Sequence, residues 1–263
     1  MPEQATAELV PHVTVPDDER PDLSALAALE LPEEDGEPLE NQWHYLQAAL
    51  LRESIAQLWH DRTDYFIGVN MFVFYSLAQA RSLDFRGPDL FVVRGVDGTR
   101  ARKRWVVWEE ERRPELVVEL LSPRTRKEDL GRKKAIYEQA LGVLEYVCYG
   151  PDPTEGEVEL ELHAWQLTSA GYQPVTANEH GWIWSEVLGA WLGLWEGIYG
   201  QVRTRWLRLY DQQGRLIPTD AEVAQLERSR AEAERQRAEA AEQRIAELEA
   251  ELARLRAQLG KTE

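Results

Sequence analysis

Residues 114–137, PELVVELLSPRTRKEDLGRKKAIY, constrain this chain more than any other stretch. Residues 116–121 are apolar except for Glu119. A run of this length, rich in Val and Leu, suits a strand buried on both faces. A carboxylate inside such a strand needs a compensating partner, because an unpaired buried charge is costly. Side chains alternate along a strand, so Val117, Glu119 and Leu121 share one face. Upstream, Pro88 and Asp89 head a second apolar run, residues 90–93. Two carboxylates on neighbouring strands, with a lysine nearby, can hold a divalent metal and activate a water for phosphodiester hydrolysis. The bland alternative pairs Glu119 with an arginine and leaves Asp89 capping a turn after Pro88.

The blocks Pro88-Asp89, VELLSP (118–123), Thr125-Arg126, Asp129-Leu130, Lys133, Tyr137 and Glu145-Tyr146 resemble the Uma2 family of endonuclease-like proteins. The resemblance covers roughly residues 40–200, with several elements in matching order and spacing. It implies the PD-(D/E)XK fold: an α/β, restriction endonuclease-like mixed central β-sheet flanked by helices. It also implies Asp89 and Glu119 as metal ligands and Lys133 as the positively charged catalytic group. One departure stands out. The parent motif places its lysine two residues after the second acid, where this chain has Leu121. A lysine from the following helix takes that role in the family resemblance. Lys133 fits, four residues after Asp129 and four before Tyr137 on one helical face, whereas Lys134 points about 100° away. The alternative for Lys133 is a surface lysine paired with Asp129. On the first helix, Glu40, Glu53 and His44 are further candidates, among which the sequence does not choose; a surface position for Glu53 and a packed role for His44 are favoured over direct catalysis.

The net charge of −17 argues against a nucleic-acid partner only until its distribution is read. Residues 1–39 hold eleven acidic residues and one basic one, whereas residues 100–134 hold twelve basic and seven acidic. A basic cluster around the candidate site can attract a phosphate backbone, with weak and strongly salt-dependent binding. A solvated hairpin and helix face is the alternative. The single Cys148 excludes an internal disulfide and any cysteine-built zinc site. It lies in an apolar run and reads as a core residue, which points to a reducing cytoplasm. No apolar run is long enough to span a bilayer, and the N-terminus lacks the pattern of a signal peptide.

The chain divides into an acidic flexible arm (1–39), a nuclease-like domain with a Trp-rich β extension (40–217) and a coiled-coil helix (218–263). The arm is mobile, with room for a brief helix at 23–31. A helix at 41–60 follows, with Asn41 as N-cap. Strands are expected at 65–75, 89–94, 104–108, 115–121 and 144–149, with a helix at 128–140. Beyond residue 150 the pattern is a meander, with strands at 157–167 and 172–175 and a final hairpin over 206–217. Trp182, Trp184, Trp191 and Trp195 read as core rather than as a base-stacking platform. In the tail, Ile245, Leu248, Leu252, Leu255 and Leu259 follow alternating steps of three and four, an a/d seam. That seam points to a homodimer, with a solitary solvated helix as the alternative.

Two functions are therefore expected in competition. One is a Mg²⁺-dependent (Mn²⁺ as substitute) DNA endonuclease, using Asp89, Glu119, Lys133 and a backbone carbonyl near Leu120. The other is an inactive nuclease-like scaffold that assembles through its coiled coil.

Overall fold

The computed structural model describes residues 41–76, 79, 87–150 and 161–259, with side chains of the last helix described to residue 254. The expected acidic arm, its brief helix and Glu40 lie outside the described residues. Two compact units are present, one ending at Ile217 and one beginning at Pro218.

The first unit is built on a six-stranded sheet of order β1-β3-β5-β6-β7-β8. Its strands are β1 (Tyr65–Val69), β3 (Leu90–Arg94), β5 (Leu116–Leu120), β6 (Glu145–Gly150), β7 (Glu161–Thr168) and β8 (Gly171–Pro174). Every pair is antiparallel except β5 with β6. The sheet is thus mixed and mainly antiparallel, consistent with a nuclease-like fold. A parallel pair needs a crossover, and here helix α2, residues 126–141, supplies it.

β5 sits centrally and all five of its residues are buried, which explains its near-continuous apolar sequence. Its two faces enter different cores. Leu116, Val118 and Leu120 pack with Trp43, Leu50, Leu51 and Ile55 of helix α1 (Gln42–Leu58) and with Leu192, Leu207 and Leu209 of a small second sheet. Val117 and Leu121 pack with Tyr137, Leu141, Tyr146 and Cys148 on the face covered by α2. Glu119 belongs to this second face.

Polar contacts fix these layers. Asn41 caps α1, its side chain accepting from the His44 amide at 3.1 Å. The Gln47 amide meets Leu207 like a strand neighbour, donating to its carbonyl at 3.0 Å and accepting from its N–H at 2.9 Å. The second sheet, of order β11-β10-β9, comprises β9 (Ile183–Ser185), β10 (Ala190–Tyr199) and β11 (Val202–Tyr210). Buried Glu145 on β6 ties that sheet down, accepting from the Ser185 hydroxyl and from the Glu186 and Val187 amides.

Several boundaries differ from expectation. Residues 65–75 are two strands rather than one. Asn70 adopts φ 46, and this left-handed turn sends β2 (Val73–Phe74) away to pair in parallel with β4 (Trp105–Val106). The strand expected at 104–108 stops after two residues, where Val107–Glu110 forms one helical turn closed by Glu111 at φ 53. The long partner of β11 is β10; residues 215–217 add only a short ladder beyond it. Trp182, Trp184, Trp191 and Trp195, expected in the core, are only half-buried, because they sit at the rim of this small sheet: Trp182 stacks on Tyr210 at 4.1 Å, and Trp184 meets Trp191 edge-on.

Helix α2 begins two residues earlier than expected and is not uniformly α. Asp129–Lys133 and Tyr137–Leu141 are π turns, a geometry common at functional sites. Gly142, at φ 58, closes the helix; a Cβ there would strike the Arg113 guanidinium.

The second unit is the single helix α3 (Asp220–Leu259). A reciprocal cap starts it: Glu222 accepts from the Thr219 amide at 2.7 Å, and Thr219 Oγ1 accepts from the Glu222 amide at 3.3 Å. Leu226, Ile245, Leu248 and Leu252 are exposed on it. Among the described residues no helix is long and apolar enough to cross a membrane.

Candidate active site

β3 and β5 run antiparallel with Leu90 opposite Val118, so the residue before β3 lies beside the fourth residue of β5. That register sets Asp89 against Glu119. Asp89 Oδ2 accepts from the Leu120 N–H at 2.7 Å, which locks the start of β3 onto the end of β5. The residue keeps part of its surface exposed while burial dominates the electrostatics of its carboxylate.

Helix α2 completes the cluster. Lys133 Nζ lies 3.2 Å from Glu119 Oε2 and 2.7 Å from Asp129 Oδ1. The contact with Asp129 is a close ion pair rather than an aligned hydrogen bond. Tyr137, one turn on, donates its hydroxyl to Glu119 Oε1 at 2.7 Å. Tyr146 donates to the Asp129 carbonyl at 2.8 Å, holding the π turn that carries the lysine. Asp129, Lys133 and Tyr137 thus converge on Glu119, which is only 1 % exposed. The arginine partner considered for Glu119 is replaced by a lysine and a tyrosine.

The burial has an electrostatic consequence. Desolvation pushes Glu119 up to about 7, aided by the neighbouring Asp89. Desolvation also pushes Asp89 up to about 6, against the Leu120 amide and Lys133. Asp129 is pushed up to about 6 by burial and by Glu119. Burial opposes the charge on Lys133, but Glu119, Asp129 and Asp89 outweigh it and raise its pKa. The lysine is therefore an ammonium at neutral pH, a source of positive charge and not a general base. With all three acids ionised, one ammonium leaves the cluster two negative charges in excess.

Leu121 is fully buried and its N–H bonds the Tyr149 carbonyl at 2.7 Å. No ammonium could sit there without being buried among Tyr137, Tyr146 and Cys148. Lys133 approaches instead from the helix, with 18 % of its side chain exposed. Lys134 is turned elsewhere, its Nζ 4.1 Å from the centre of the Trp165 ring.

The first-helix candidates separate. Glu53 accepts from the Tyr199 hydroxyl of β10 at 3.1 Å and takes no part in the cluster. His44 is 4 % exposed, and its Nε2 lies 3.0 Å from the Leu120 carbonyl, on the strand carrying Glu119. A carbonyl only accepts, so Nε2 carries the proton in this bond, while Nδ1 lies 3.2 Å from Asn41 Oδ1. Sequence reasoning favours a packed role for His44, as its burial bears out, without naming its partner, and treats Asp129 only as a surface partner for Lys133. The signal for Asp129 and Tyr137 was their spacing of four residues on either side of Lys133; their burial was not visible.

The sequence model described as "Putative restriction endonuclease", that of the Uma2 family, matches residues 19–198, more than half of the chain. The chain belongs to the Uma2 family. No curated protein matches it. Membership in Uma2 points to nuclease activity and leaves the metal, the substrate and the roles of residues to be argued from this chain's own geometry.

Oxygen donors, a paired Asp and Glu, and an uncompensated negative charge suit a hard divalent cation such as Mg²⁺ or Mn²⁺. Among the described residues, no three of His, Cys, Asp or Glu converge as a ready-made metal cage. Two carboxylates completed by waters and a backbone oxygen match the way Mg²⁺ is usually held.

Much of the basic cluster is committed within the protein. Arg102 forks onto Glu110 and lies over the Phe66 and Trp105 rings. Arg100 also pairs with Glu110, and Arg126 forks onto Glu161. Arg124 and Lys127 are exposed on the loop and first turn that lead to the site.

Proposed function

We propose that this chain is a metal-dependent endonuclease that hydrolyses phosphodiester bonds in DNA. The observation that carries this reading is the meeting of Asp89 and Glu119 across two strands, with protonated Lys133 bound to Glu119. Asp89 and Glu119 would hold Mg²⁺ or Mn²⁺, and the Leu120 carbonyl is the third oxygen within the same strand end. When bound, the ion supplies a Lewis acid and a water acidic enough to attack phosphorus.

The protein supplies the rest. Tyr137 orients Glu119 by donating to one oxygen and leaving the other toward Lys133. His44 fixes the direction of the Leu120 carbonyl. Lys133 provides fixed positive charge to offset the charge that builds on the phosphoryl oxygens. Arg124 and Lys127 offer phosphate contacts beside the site, so binding is weak and falls steeply with salt. Cys148 is buried and free, in keeping with a reducing cytoplasm. We also place a homodimer, formed through α3, in this reading.

Leu121 in the usual lysine position and the saturation of Lys133 by two carboxylates favour a second reading, a nuclease-like scaffold without activity. Supercoiled plasmid at low salt, with Mg²⁺, Mn²⁺ or EDTA, separates the two. Metal-dependent nicking lost in Asp89→Ala, Glu119→Ala and Lys133→Ala supports the nuclease. Nicking that persists in both acid variants refutes the site, and an inert wild type that also fails to bind Mn²⁺ supports the scaffold.

A further inference from the structure

Helix α3 carries Ile245, Leu248 and Leu252 at 57 %, 43 % and 52 % exposure. Their steps of three and four residues place them on one stripe, at heptad positions a, d and a. A stripe of large aliphatic residues in water calls for a cover, and the charges flanking it specify which. With Ile245 at a, g falls on Arg237, Arg244 and Glu251 and e on Glu242, Glu249 and Arg256; the four that flank Ile245 and Leu248 are Arg237, Arg244, Glu242 and Glu249. All four side chains are exposed.

In a parallel coiled coil, each g residue faces the e residue of the following heptad on the other helix. Arg237 then meets Glu242 of the second copy, and Arg244 meets Glu249. Two-fold symmetry repeats both pairs. An antiparallel coil brings e against e and g against g. The register that layers Leu248 on Leu252 of the second copy then sets Glu249 against Glu249, and Glu251 against Glu251. One like-charged contact remains in the parallel arrangement, Arg230 against Arg235, where the stripe holds Ala231 and Glu234 and no large aliphatic residue.

We propose that α3 pairs with α3 of a second copy as a parallel, in-register coiled coil, with Ile245, Leu248 and Leu252 in its seam. This rests on the homodimer named above and adds its orientation. A parallel pairing joins the two chains at the Pro218 end of the coil, so both nuclease units leave from the same end. That arrangement suits one cut on each strand of a single duplex.

The sole cysteine, Cys148, is buried, so a cysteine introduced on α3 reports alone. The full chain is prepared as Leu248→Cys, as Leu252→Cys and as an equal mixture of the two, then treated with oxidised glutathione. Both positions are exposed on the helix, so folding is not at stake. Parallel pairing in register places each residue against its own counterpart within disulfide reach. Leu248→Cys alone then gives covalent dimer, and so does Leu252→Cys. Cross-linking found only in the mixture overturns the orientation and leaves the dimer standing. Sedimentation of the untreated wild type as a monomer at tens of micromolar overturns both. Neither result bears on the acid cluster, which is tested by cleavage. Reversal of Glu242 and Glu249 to Arg should weaken dimerisation roughly tenfold at low salt, and reversal of Arg237 and Arg244 to Glu in the same chain should restore it.

Discussion

Glu119→Gln should make the metal-free protein more stable above neutral pH, although it removes one partner of a buried ion pair. The folded carboxyl titrates near 7 against an ordinary 4.5, mainly because burial disfavours its charge. A rise of that size corresponds to about 3 kcal/mol by linkage, an order-of-magnitude figure for so strongly coupled a group. The sign follows from proton binding. Because the folded pKa is raised, the folded state holds this proton more tightly than the unfolded chain does. The resulting stabilisation is fully present below pH 4.5 and is lost as pH rises through about 7. Gln carries no charge to desolvate and can still accept from the Tyr137 hydroxyl, while Lys133 keeps Asp129 at 2.7 Å. Its amide N–H facing Lys133 returns about 1 kcal/mol of the gain. The net is a stabilisation of about 1–2 kcal/mol at pH 8, or about 4 °C in Tm for a domain of this size. Thermal unfolding of wild type and Glu119→Gln in EDTA, at pH 5.5 and pH 8, reads the difference directly. The gap should be near zero at the lower pH and open at the higher. Millimolar Mn²⁺ at pH 8 should raise the wild type and leave the variant unchanged. A variant less stable by about 3 kcal/mol at pH 8 would show that Glu119 and Lys133 form a structural ion pair, since breaking such a pair has that effect. The functional reading of the cluster would then be wrong.

Three further outcomes are expected. Lys133→Met leaves Asp89, Glu119 and Asp129 without the ammonium that faces them, and should lower stability in EDTA at pH 8 by about 3–5 kcal/mol; urea titration at pH 8 and pH 5.5 should show partial recovery at the lower pH, as the acids protonate. Tyr137→Phe removes the hydroxyl donated to Glu119 and should cost about 1–3 kcal/mol above pH 7, with a loss of Mn²⁺ affinity measured by calorimetry. Thr219→Ala removes the Oγ1 half of the reciprocal cap of α3, keeps the backbone N–H that Glu222 accepts from, and should cost about 1 kcal/mol locally, seen as faster amide exchange at Glu222 with no change in the Tm of the first unit.

The parts of the site that lie on strands were legible because strand physics is local. An apolar run broken by one carboxylate announced β5, and alternation placed Glu119 with Val117 and Leu121. Asp89 followed from its position at the head of the next apolar run. Lys133 followed from helical spacing and the family resemblance. Asp129 and Tyr137 were present in the same spacing, yet their burial depends on how deeply α2 settles on the sheet. That depth is set by Tyr146 and Cys148 on β6 and Trp165 on β7, residues outside the helix whose packing against it no helical spacing reveals. The partner of His44 was hidden for the same reason, because it reaches Leu120 across 76 residues of chain. The break at Asn70 was missed because a left-handed asparagine inside an aromatic, β-branched run leaves the hydrophobic pattern intact.

The sequence alone carried the main element types around the site, a carboxylate inside one apolar run and another at the head of the next, and the heptad stripe of the tail, all patterns set by residues a few positions apart; the choice of Lys133 came from the family resemblance. Tertiary structure decided the charge state of the cluster and who holds whom within it. Desolvation is a property of the packed volume, and that volume is assembled from segments the sequence keeps apart. Desolvation pushes Glu119 toward neutrality, while the carboxylates gathered around Lys133 outweigh its own burial and keep it a cation.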